Sequence, residues 1–300
     1  MDKRPLGKTG IDVGAIAFGC WRFGGVDVAT ARERIETALE CGMTLVDTAD
    51  VYGLDNDCPW GGAEDLLGRV FADAPALRDR IVLATKGGIH LGPAHQGRDG
   101  LGVPYESGPA WITHACEQSL RRLNTDVIDL YQIHRPDLLE HPASTAAALN
   151  SLVAAGKVKH IGVSNYSAAQ VAALRAYLDV PLQTVQPEFS VSHLDPIDDG
   201  VFDQAMQFGL TPLAWSPLGG GSVLSAAGLL GDTLDELAST HNTSRTGVAL
   251  AFVLAHPAGV IPIVGTGKPE RIREAAAAVD VHLTKAECYR LISSAGRHLP

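Results

Sequence analysis

Residues 81–86 read Ile-Val-Leu-Ala-Thr-Lys. The run does not alternate apolar with polar side chains, so a strand formed here is apolar on both of its faces. Strands of this kind are typical of parallel sheets whose two faces are covered by helices. The stretch therefore predicts an α/β fold, and the rest of the chain decides which one.

Short apolar runs alternate with longer amphipathic runs on both sides of this stretch. Eight β-α units in 300 residues favour a closed (β/α)8 TIM barrel over a doubly wound open sheet. We expect an N-terminal β-hairpin within residues 1–19, a C-terminal helix opened by Thr284 and Glu287, and a single domain over residues 1–300. The predicted strands cover residues 15–18, 44–47, 81–85, 127–133, 160–163, 181–187, 210–215 and 260–264, and the predicted barrel helices cover 30–41, 62–71, 112–123, 144–155, 167–178, 243–256 and 269–278.

Composition limits the function classes. The formal net charge is −10, which argues against a nucleic-acid binder because such proteins need a concentrated basic surface. No apolar run reaches the roughly 18 residues of a membrane span, and the first residues lack the apolar segment of a signal peptide. The five cysteines form no C-x-x-C pair, which indicates reduced thiols and a cytoplasmic protein. None of the 11 histidines shows metal-ligand spacing beside a carboxylate, so we expect no metal.

Polar and ionisable side chains stand at the ends of consecutive predicted strands. Asp47, Lys86 and His134 end the second, third and fourth strands, and Tyr52 follows Asp47 by five residues. Strand ends of a barrel meet at its C-terminal mouth, where chemistry occurs. A lysine ammonium held by a carboxylate lowers the pKa of a neighbouring tyrosine, which then serves as a general acid. A histidine can direct a substrate oxygen by donating a hydrogen bond.

Each of these residues also has an ordinary structural interpretation when it is taken alone. Asp47 can cap a helix, Tyr52 can pack with its hydroxyl at the surface, Lys86 can be solvated, and His134 can be a core histidine. Those interpretations do not explain why all four follow successive strands. Their joint occurrence favours a single catalytic pocket.

A second set of signals indicates a phosphate-binding site. Residues 265–268 (Gly-Thr-Gly-Lys) stand between the last predicted strand and a helix, and Lys268 and Arg271 add positive charge there. Main-chain N–H groups at a helix N-terminus attract phosphate, and barrels often bind it after strands seven and eight. Trp215 offers a flat face on which a planar ring could stack, although a core position explains it equally well.

Seven motifs in the chain, taken in order, resemble the aldo-keto reductase family. They are DTADVYG (47–53), ATKGG (84–88), LYQIHRPD (130–137), KVKHIGVSNY (157–166), QPEFS (186–190), AWSPLGGG (214–221) and IPIVGTGKPERI (261–272).

The resemblance implies reversible reduction of an aldehyde or ketone with NADP(H), which the family binds without a Rossmann fold. It implies that Tyr52 is the general acid, that Asp47 and Lys86 tune it, and that His134 orients the carbonyl of a small-molecule substrate. It also implies a cofactor site formed by Ser164, Asn165, Gln186, Trp215, Ser216, Leu218, Gly220, Thr266, Gly267, Lys268, Arg271 and Glu274.

The chain departs from the family pattern at two positions. Many members have a lysine where Gly265 stands and an asparagine where Ala275 stands. A preference for the 2′-phosphate of NADP(H) would therefore depend on Lys268 and Arg271, and use of NAD(H) stays open. Candidate residues for the substrate pocket are Trp21, Trp60 and Trp111.

Two other functions remain as alternatives at this stage. An NADP(H)-binding regulatory or sensor subunit would bind the cofactor but turn over very slowly. A barrel hydrolase would use two carboxylates, such as Asp50 and Glu64, and would need neither Lys86 beside Tyr52 nor the basic segment after residue 265.

Overall fold

The computed structural model of the protein describes residues 1–54, 58–90 and 105–299. It begins with the expected hairpin, in which β1 (Lys3–Pro5) pairs antiparallel with β2 (Asp12–Gly14). The eight barrel strands follow as β3 (Ala17–Gly19), β4 (Leu45–Asp47), β5 (Val82–Gly87), β6 (Ile128–Ile133), β7 (Val158–Ser164), β8 (Leu182–Gln186), β9 (Thr211–Ala214) and β10 (Ile261–Val264).

These strands are hydrogen-bonded in one closed barrel, in the order β10-β3-β4-β5-β6-β7-β8-β9. β6 pairs parallel with β5 and β7, and β10 pairs parallel with β3 and β9. Every residue of β6, β8 and β9 is buried, because both faces of these strands are covered. The (β/α)8 barrel predicted from the apolar runs is confirmed.

Each barrel strand is followed by helical structure, which covers the outer face of the sheet. Capping boxes form at Ser167–Gln170 and at Thr284–Glu287, and the second opens the expected C-terminal helix. The helices are α1 (Val28–Glu40), α2 (Gly62–Asp73), α3 (Pro109–Arg122), α4 (Pro142–Ala154), α5 (Ala168–Arg175), α6 (Val201–Phe208), α7 (Gly228–Thr240), α8 (Arg245–Leu254), α9 (Pro269–Ala276) and α10 (Lys285–Ser294).

The chain divides into two compact units. The first unit comprises Met1–Gly19, Glu33–Leu45 and Gln186–Pro300. Within it the β1 arginine, Arg4, donates hydrogen bonds to the main-chain oxygens of Leu254, at 2.8 Å, and Val260. The hairpin is thereby attached to the region between α8 and β10.

The second unit comprises Cys20–Arg32 and Val46–Val185. Within it Asp129 of β6 accepts hydrogen bonds from the Leu83 amide at 2.9 Å and from Lys159 Nζ at 2.7 Å. One carboxylate therefore joins three neighbouring strands, because Leu83 lies on β5 and Lys159 on β7. All four residues predicted to be catalytic belong to this unit.

No helix in the described ranges is both long and apolar enough to cross a membrane. The same ranges hold no group of three or more His, Cys, Asp or Glu side chains arranged to bind a metal ion.

Candidate active site

Lys86, the fifth residue of β5, is the centre of the candidate site. Its ammonium is fully buried and lies 2.6 Å from Asp47 Oδ2, 2.8 Å from the main-chain oxygen of Thr48 and 3.4 Å from the Tyr52 hydroxyl. A buried ammonium needs such partners, because losing its hydration without compensation is very costly. Three of the four predicted catalytic residues are thus brought together as expected.

The loop after β4 is held against β5 by main-chain hydrogen bonds. The Thr48 amide donates to the oxygen of Ala84 at 2.9 Å, and the Asp50 amide donates to the oxygen of Lys86 at 3.0 Å. Gly53 then turns the chain with φ +136, and a Cβ at this position would lie 2.4 Å from the oxygen of Pro59. This loop fixes Tyr52 beside the ammonium.

The pKa of Tyr52 differs from the sequence-based expectation. Burial raises the pKa of Tyr52, and this effect outweighs the lowering by the Lys86 ammonium. The lysine does act in the predicted direction, but a phenolate is poorly hydrated in this position, so the neutral phenol is favoured. Tyr52 therefore retains its proton until a stronger base accepts it.

His134 follows β6 and completes the group. Its ring meets the Tyr52 ring edge-on, with 5.8 Å between centroids. Burial, reinforced by the positive charges of Lys86 and Arg135, holds the pKa of His134 well below its usual value. The ring is therefore neutral at physiological pH, and one of its two nitrogens carries a hydrogen that it can donate.

The main chain of His134 is fixed from two sides. Its amide donates to the oxygen of Gly87 at 2.8 Å, and Asn165 Nδ2 donates to its oxygen at 3.1 Å. Asn165 has φ +60 and also donates to Ser164 Oγ at 2.8 Å. Two residues predicted to bind the nicotinamide, Ser164 and Asn165, thus lie directly beside a predicted catalytic residue.

A buried polar cluster next to Lys86 was not predicted as a unit. Glu64 of α2 is fully buried, accepts a hydrogen bond from Thr85 Oγ1 at 2.5 Å and is paired with Arg122 of α3 at 2.7 Å. Asp50 lies nearby at 1% exposure, and burial together with the charge of Glu64 raises its pKa well above the usual range. The sequence carried one signal for this cluster, the polar Thr85 next to Lys86, because successive side chains of a strand point to opposite faces.

This cluster argues against the hydrolase alternative. A hydrolase carboxylate must reach water and substrate, whereas Glu64 is enclosed and engaged by Arg122 and Thr85. Asp50 is just as enclosed, and burial raises the pKa of its carboxyl well above the usual range, which disfavours the carboxylate.

The first unit carries the other residues predicted to bind the cofactor. Gln186 is buried at the end of β8, and Trp215 is partly exposed just after β9, where its amide donates to the oxygen of Pro187 at 3.1 Å. Ser216 has φ +48 and Leu218 is partly exposed. Gly220 has φ +66, and a Cβ placed on it would have no other atom within 4 Å. The space beside its backbone is therefore open.

The segment after β10 leads into α9 and carries the residues predicted to bind phosphate. Thr266 Oγ1 accepts a hydrogen bond from the Lys268 amide at 3.4 Å, and Lys268 is the N-cap residue of α9. Lys268 and Arg271 are both exposed, whereas Glu274 accepts a hydrogen bond from Ser244 at 2.6 Å. The residues present therefore fit the phosphate-bearing end of a dinucleotide.

The three tryptophans predicted to line a substrate pocket occupy different loops. Trp21 is 41% exposed after β3, with the Arg22 guanidinium 5.5 Å from its ring centroid. Trp60 is partly exposed before α2. Trp111, in the first turn of α3, meets the His90 ring edge-on at 4.1 Å. Their role in a substrate pocket stays a prediction.

Comparison with known families decides the classification of the chain. The model of the aldo/keto reductase family matches residues 15–295. The chain belongs to the aldo/keto reductase family. The chain is 44% identical over 304 residues to the 6-dehydroglucose reductase of Novosphingobium aromaticivorans, covering 99% of this chain and 97% of the relative. It is 36% identical to the 6-dehydroglucose reductase of Agrobacterium fabrum, covering 95% of each chain.

Solved structures support the same assignment. The thermostable aldo-keto reductase Tm1743, solved with the inhibitor epalrestat, superposes with a TM-score of 0.82 at 28% identity, covering 98% of this chain and all of that one. The glycerol dehydrogenase AKR11B4 of Gluconobacter oxydans gives a TM-score of 0.86 at 27% identity, covering 100% of this chain and 96% of that one. The reductase is therefore an oxidoreductase of a family that acts on carbonyl compounds and generally uses NAD(P)H.

Proposed function

We propose that the reductase catalyses reversible, NADPH-dependent reduction of an aldehyde or ketone to the alcohol, with Tyr52 as the general acid. The observation that carries the proposal is the contact of the buried Lys86 ammonium with both Asp47 and the Tyr52 hydroxyl. When bound, the nicotinamide supplies a hydride to the carbonyl carbon. The protein must then supply one proton to the carbonyl oxygen.

Tyr52 provides that proton. Burial keeps the phenol protonated, and an alkoxide that develops on the substrate is a much stronger base than a phenolate, so the proton moves from Tyr52 to the substrate oxygen. Lys86, 3.4 Å away, stabilises the resulting phenolate, and Asp47 holds the ammonium in place. The neutral His134 directs the carbonyl oxygen by donating a hydrogen bond.

For the substrate, we propose a carbonyl compound derived from a sugar. Two relatives, at 44% and 36% identity over nearly the whole chain, are named 6-dehydroglucose reductases. Their name denotes reduction of glucose that carries a carbonyl at carbon 6. 6-Dehydroglucose is therefore the first substrate to test, followed by simple aldehydes and ketones.

For the cofactor, we propose a preference for NADPH over NADH. The exposed Lys268 and Arg271, at the N-terminal end of α9, support this preference, because cations there would attract the 2′-phosphate that distinguishes the two dinucleotides. We also propose a cytoplasmic location, where NADPH is available and the cysteines stay reduced.

The central experiment compares wild type with Tyr52→Phe, which removes the acidic hydroxyl and leaves the ring. We expect NADPH consumption with 6-dehydroglucose to fall about 10²–10⁴-fold, as is typical when a general acid is lost. The Kd for NADPH, measured by quenching of tryptophan fluorescence, should stay close to that of wild type. Tyr289→Phe, which removes the hydroxyl of an exposed tyrosine on α10, is the matched control and should not change the rate.

Two results would contradict the proposal. If Tyr52→Phe keeps the wild-type rate with every carbonyl that wild type reduces, Tyr52 is not the acid. If wild type binds NADPH tightly but hardly oxidises it with any carbonyl, the protein is instead a cofactor-binding sensor.

A further inference from the structure

Arg34 of α1 lies against the loop that connects β10 with α9. An ideal Cβ on Gly267 would be 3.1 Å from Arg34 Nη2, 3.2 Å from its Cζ and 3.4 Å from its Nη1. The guanidinium therefore covers the α-carbon of Gly267. The φ of Gly267 lies outside the left-handed region, so the nearby guanidinium, rather than the backbone conformation, favours glycine at this position.

The covered loop is the segment proposed to meet the cofactor 2′-phosphate. Gly267 directly precedes Lys268, the N-cap of α9, and the main-chain amides of this first helical turn carry partial positive charge. A guanidinium packed over Gly267 is therefore beside the place where a phosphate would meet that helix end. Arg34 comes from a different element and is 233 positions away from Gly267 in the sequence.

The positive charge of residues 265–274 is too small to balance a 2′-phosphate without a further cation. Between residues 265 and 274, the side chains of Lys268, Arg271 and Arg273 are opposed by those of Glu270 and Glu274, a formal balance of only +1. The 2′-phosphate carries close to two negative charges at neutral pH. A guanidinium also presents its N–H donors in a rigid planar fork that matches phosphate oxygens, which an ammonium cannot do.

We propose that Arg34 recognises the 2′-phosphate of NADPH together with Lys268 and Arg271 and so determines the choice between NADPH and NADH. The inference rests on the proposed use of NADPH. It adds a specificity-determining residue from α1, outside the loop that the sequence motifs identified.

The test measures the Kd of NADPH and of NADH by fluorescence for wild type, Arg34→Gln and Arg34→Lys. For Arg34→Gln we expect NADPH to bind about tenfold more weakly, equivalent to one lost charge-assisted contact, while the Kd of NADH changes less than about twofold. Arg34→Lys should give an intermediate value for NADPH, since it keeps the charge but not the fork.

Arg32→Gln is the matched control, because Arg32 lies about half a turn away on α1 and pairs with Asp73 at 3.0 Å. It should leave both Kd values unchanged. Gly267→Ala is a second, independent variant, whose new methyl group must push the guanidinium aside. Gly267→Ala should weaken the binding of NADPH more than the binding of NADH. Circular dichroism of each variant verifies that the fold is kept.

The outcomes separate the two proposals. Wild type binding NADPH no more tightly than NADH would overturn the proposed cofactor preference, and the role of Arg34 with it. A clear wild-type preference that Arg34→Gln leaves intact would overturn the role of Arg34 alone. If Arg34→Gln weakens the binding of both dinucleotides equally, the role of Arg34 is also overturned, because Arg34 would then contact a chemical group that NADPH and NADH share.

Discussion

Asp47 ends β4 and Asp50 follows three residues later, yet their surroundings differ. Asp47 is ion-paired with Lys86 at 2.6 Å. Asp50 is enclosed near Glu64, its pKa is raised well above the usual range, and its Oδ1 has no hydrogen-bond partner among the residues described. One carboxyl has a cation as its partner, whereas the surroundings of the other favour its protonated form.

The same substitution at these two positions should therefore affect kcat differently. Asp47→Asn removes the anion that orients Lys86, so we expect kcat for carbonyl reduction to fall at least about tenfold. Asp50→Asn replaces a neutral carboxyl by a neutral amide of the same shape, so kcat should stay within about twofold. Steady-state kinetics with saturating NADPH measures both. Equal losses in the two variants would show that Asp50 is charged and that its neutral assignment is wrong.

His134 predicts a pH dependence of stability. The pKa of His134 is far below that of an unfolded histidine, which is about 6.5. Below pH 6.5 the unfolded state therefore binds a proton that the folded state does not bind. Stability present above pH 6.5 is thus lost as the pH falls. For this one residue the loss approaches about 1.4 kcal/mol per pH unit.

Urea unfolding at pH 7.5, 6.5 and 5.5 tests this dependence. His134→Asn should lose less stability than wild type over that range, because it removes the group that resists protonation. His114→Asn changes an exposed ring on α3. Its free energy of unfolding should change with pH as that of wild type does. If the free energy of unfolding of His134→Asn falls with pH as steeply as that of wild type, the His134 ring is protonated in the folded protein.

The clustering of the candidate catalytic residues could be predicted from sequence, because parallel strand ends converge in a barrel. That rule brought together Asp47, Lys86 and His134 without knowledge of any contact. The direction of the Tyr52 pKa could not be predicted. It depends on the balance between burial and a nearby charge, and burial is not readable from a short polar loop.

At the scale of elements, one buried ion pair links the start of α2 to the end of α3. Arg122 Nε and Nη2 each lie 2.7 Å from Glu64 Oε2, and Glu64 has no exposed surface. Gly61 makes room for this arginine, since a Cβ there would lie 2.4 Å from Arg122 Nε.

Arg122→Ala should therefore destabilise the protein by about 3–5 kcal/mol, because it leaves the Glu64 carboxylate buried without a cation. Adding Glu64→Gln to that variant should recover part of the loss, since no charge is then buried. Urea unfolding gives the free energy of each variant. Arg290→Ala is the control, because its pair with Glu236 is solvent-exposed and such pairs contribute little to stability.

The helices α6 and α7 show what the sequence does not reveal. α6 spans only eight residues between Gly200 and Gly209, both with positive φ, and the N-cap Gly200 has no side chain with which to cap the helix. α7 begins at Gly228 and contains Gly231, and glycine is unfavourable in helices. Both helices are stabilised by packing their apolar faces, including Phe202, rather than by local propensity.

At the scale of the whole molecule, cofactor binding should be visible as thermal stabilisation. A ligand present at a hundred times its Kd adds about 2.7 kcal/mol to the free energy of unfolding. We expect NADPH to raise Tm by several degrees in a thermal shift assay and NADH at the same concentration to raise it less.

The double variant Lys268→Gln/Arg271→Gln should reduce that difference between the two dinucleotides to the part that Arg34 alone provides. Lys285→Gln, which removes a lysine from α10, is the control and should retain the full difference. A difference that is undiminished in the double variant would show that Lys268 and Arg271 do not recognise the 2′-phosphate. The single domain over residues 1–300 also stays a prediction at this scale.

The attachment of Arg4 to the oxygens of Leu254 and Val260 has a consequence for synthesis of the chain. These partners are 250 and 256 positions away from Arg4. A ribosome adding about 5–20 residues per second needs roughly 12–50 s to make the intervening segment. The hairpin leaves the ribosome before these partners do, so about 250 further residues must be synthesised before it can take its native place.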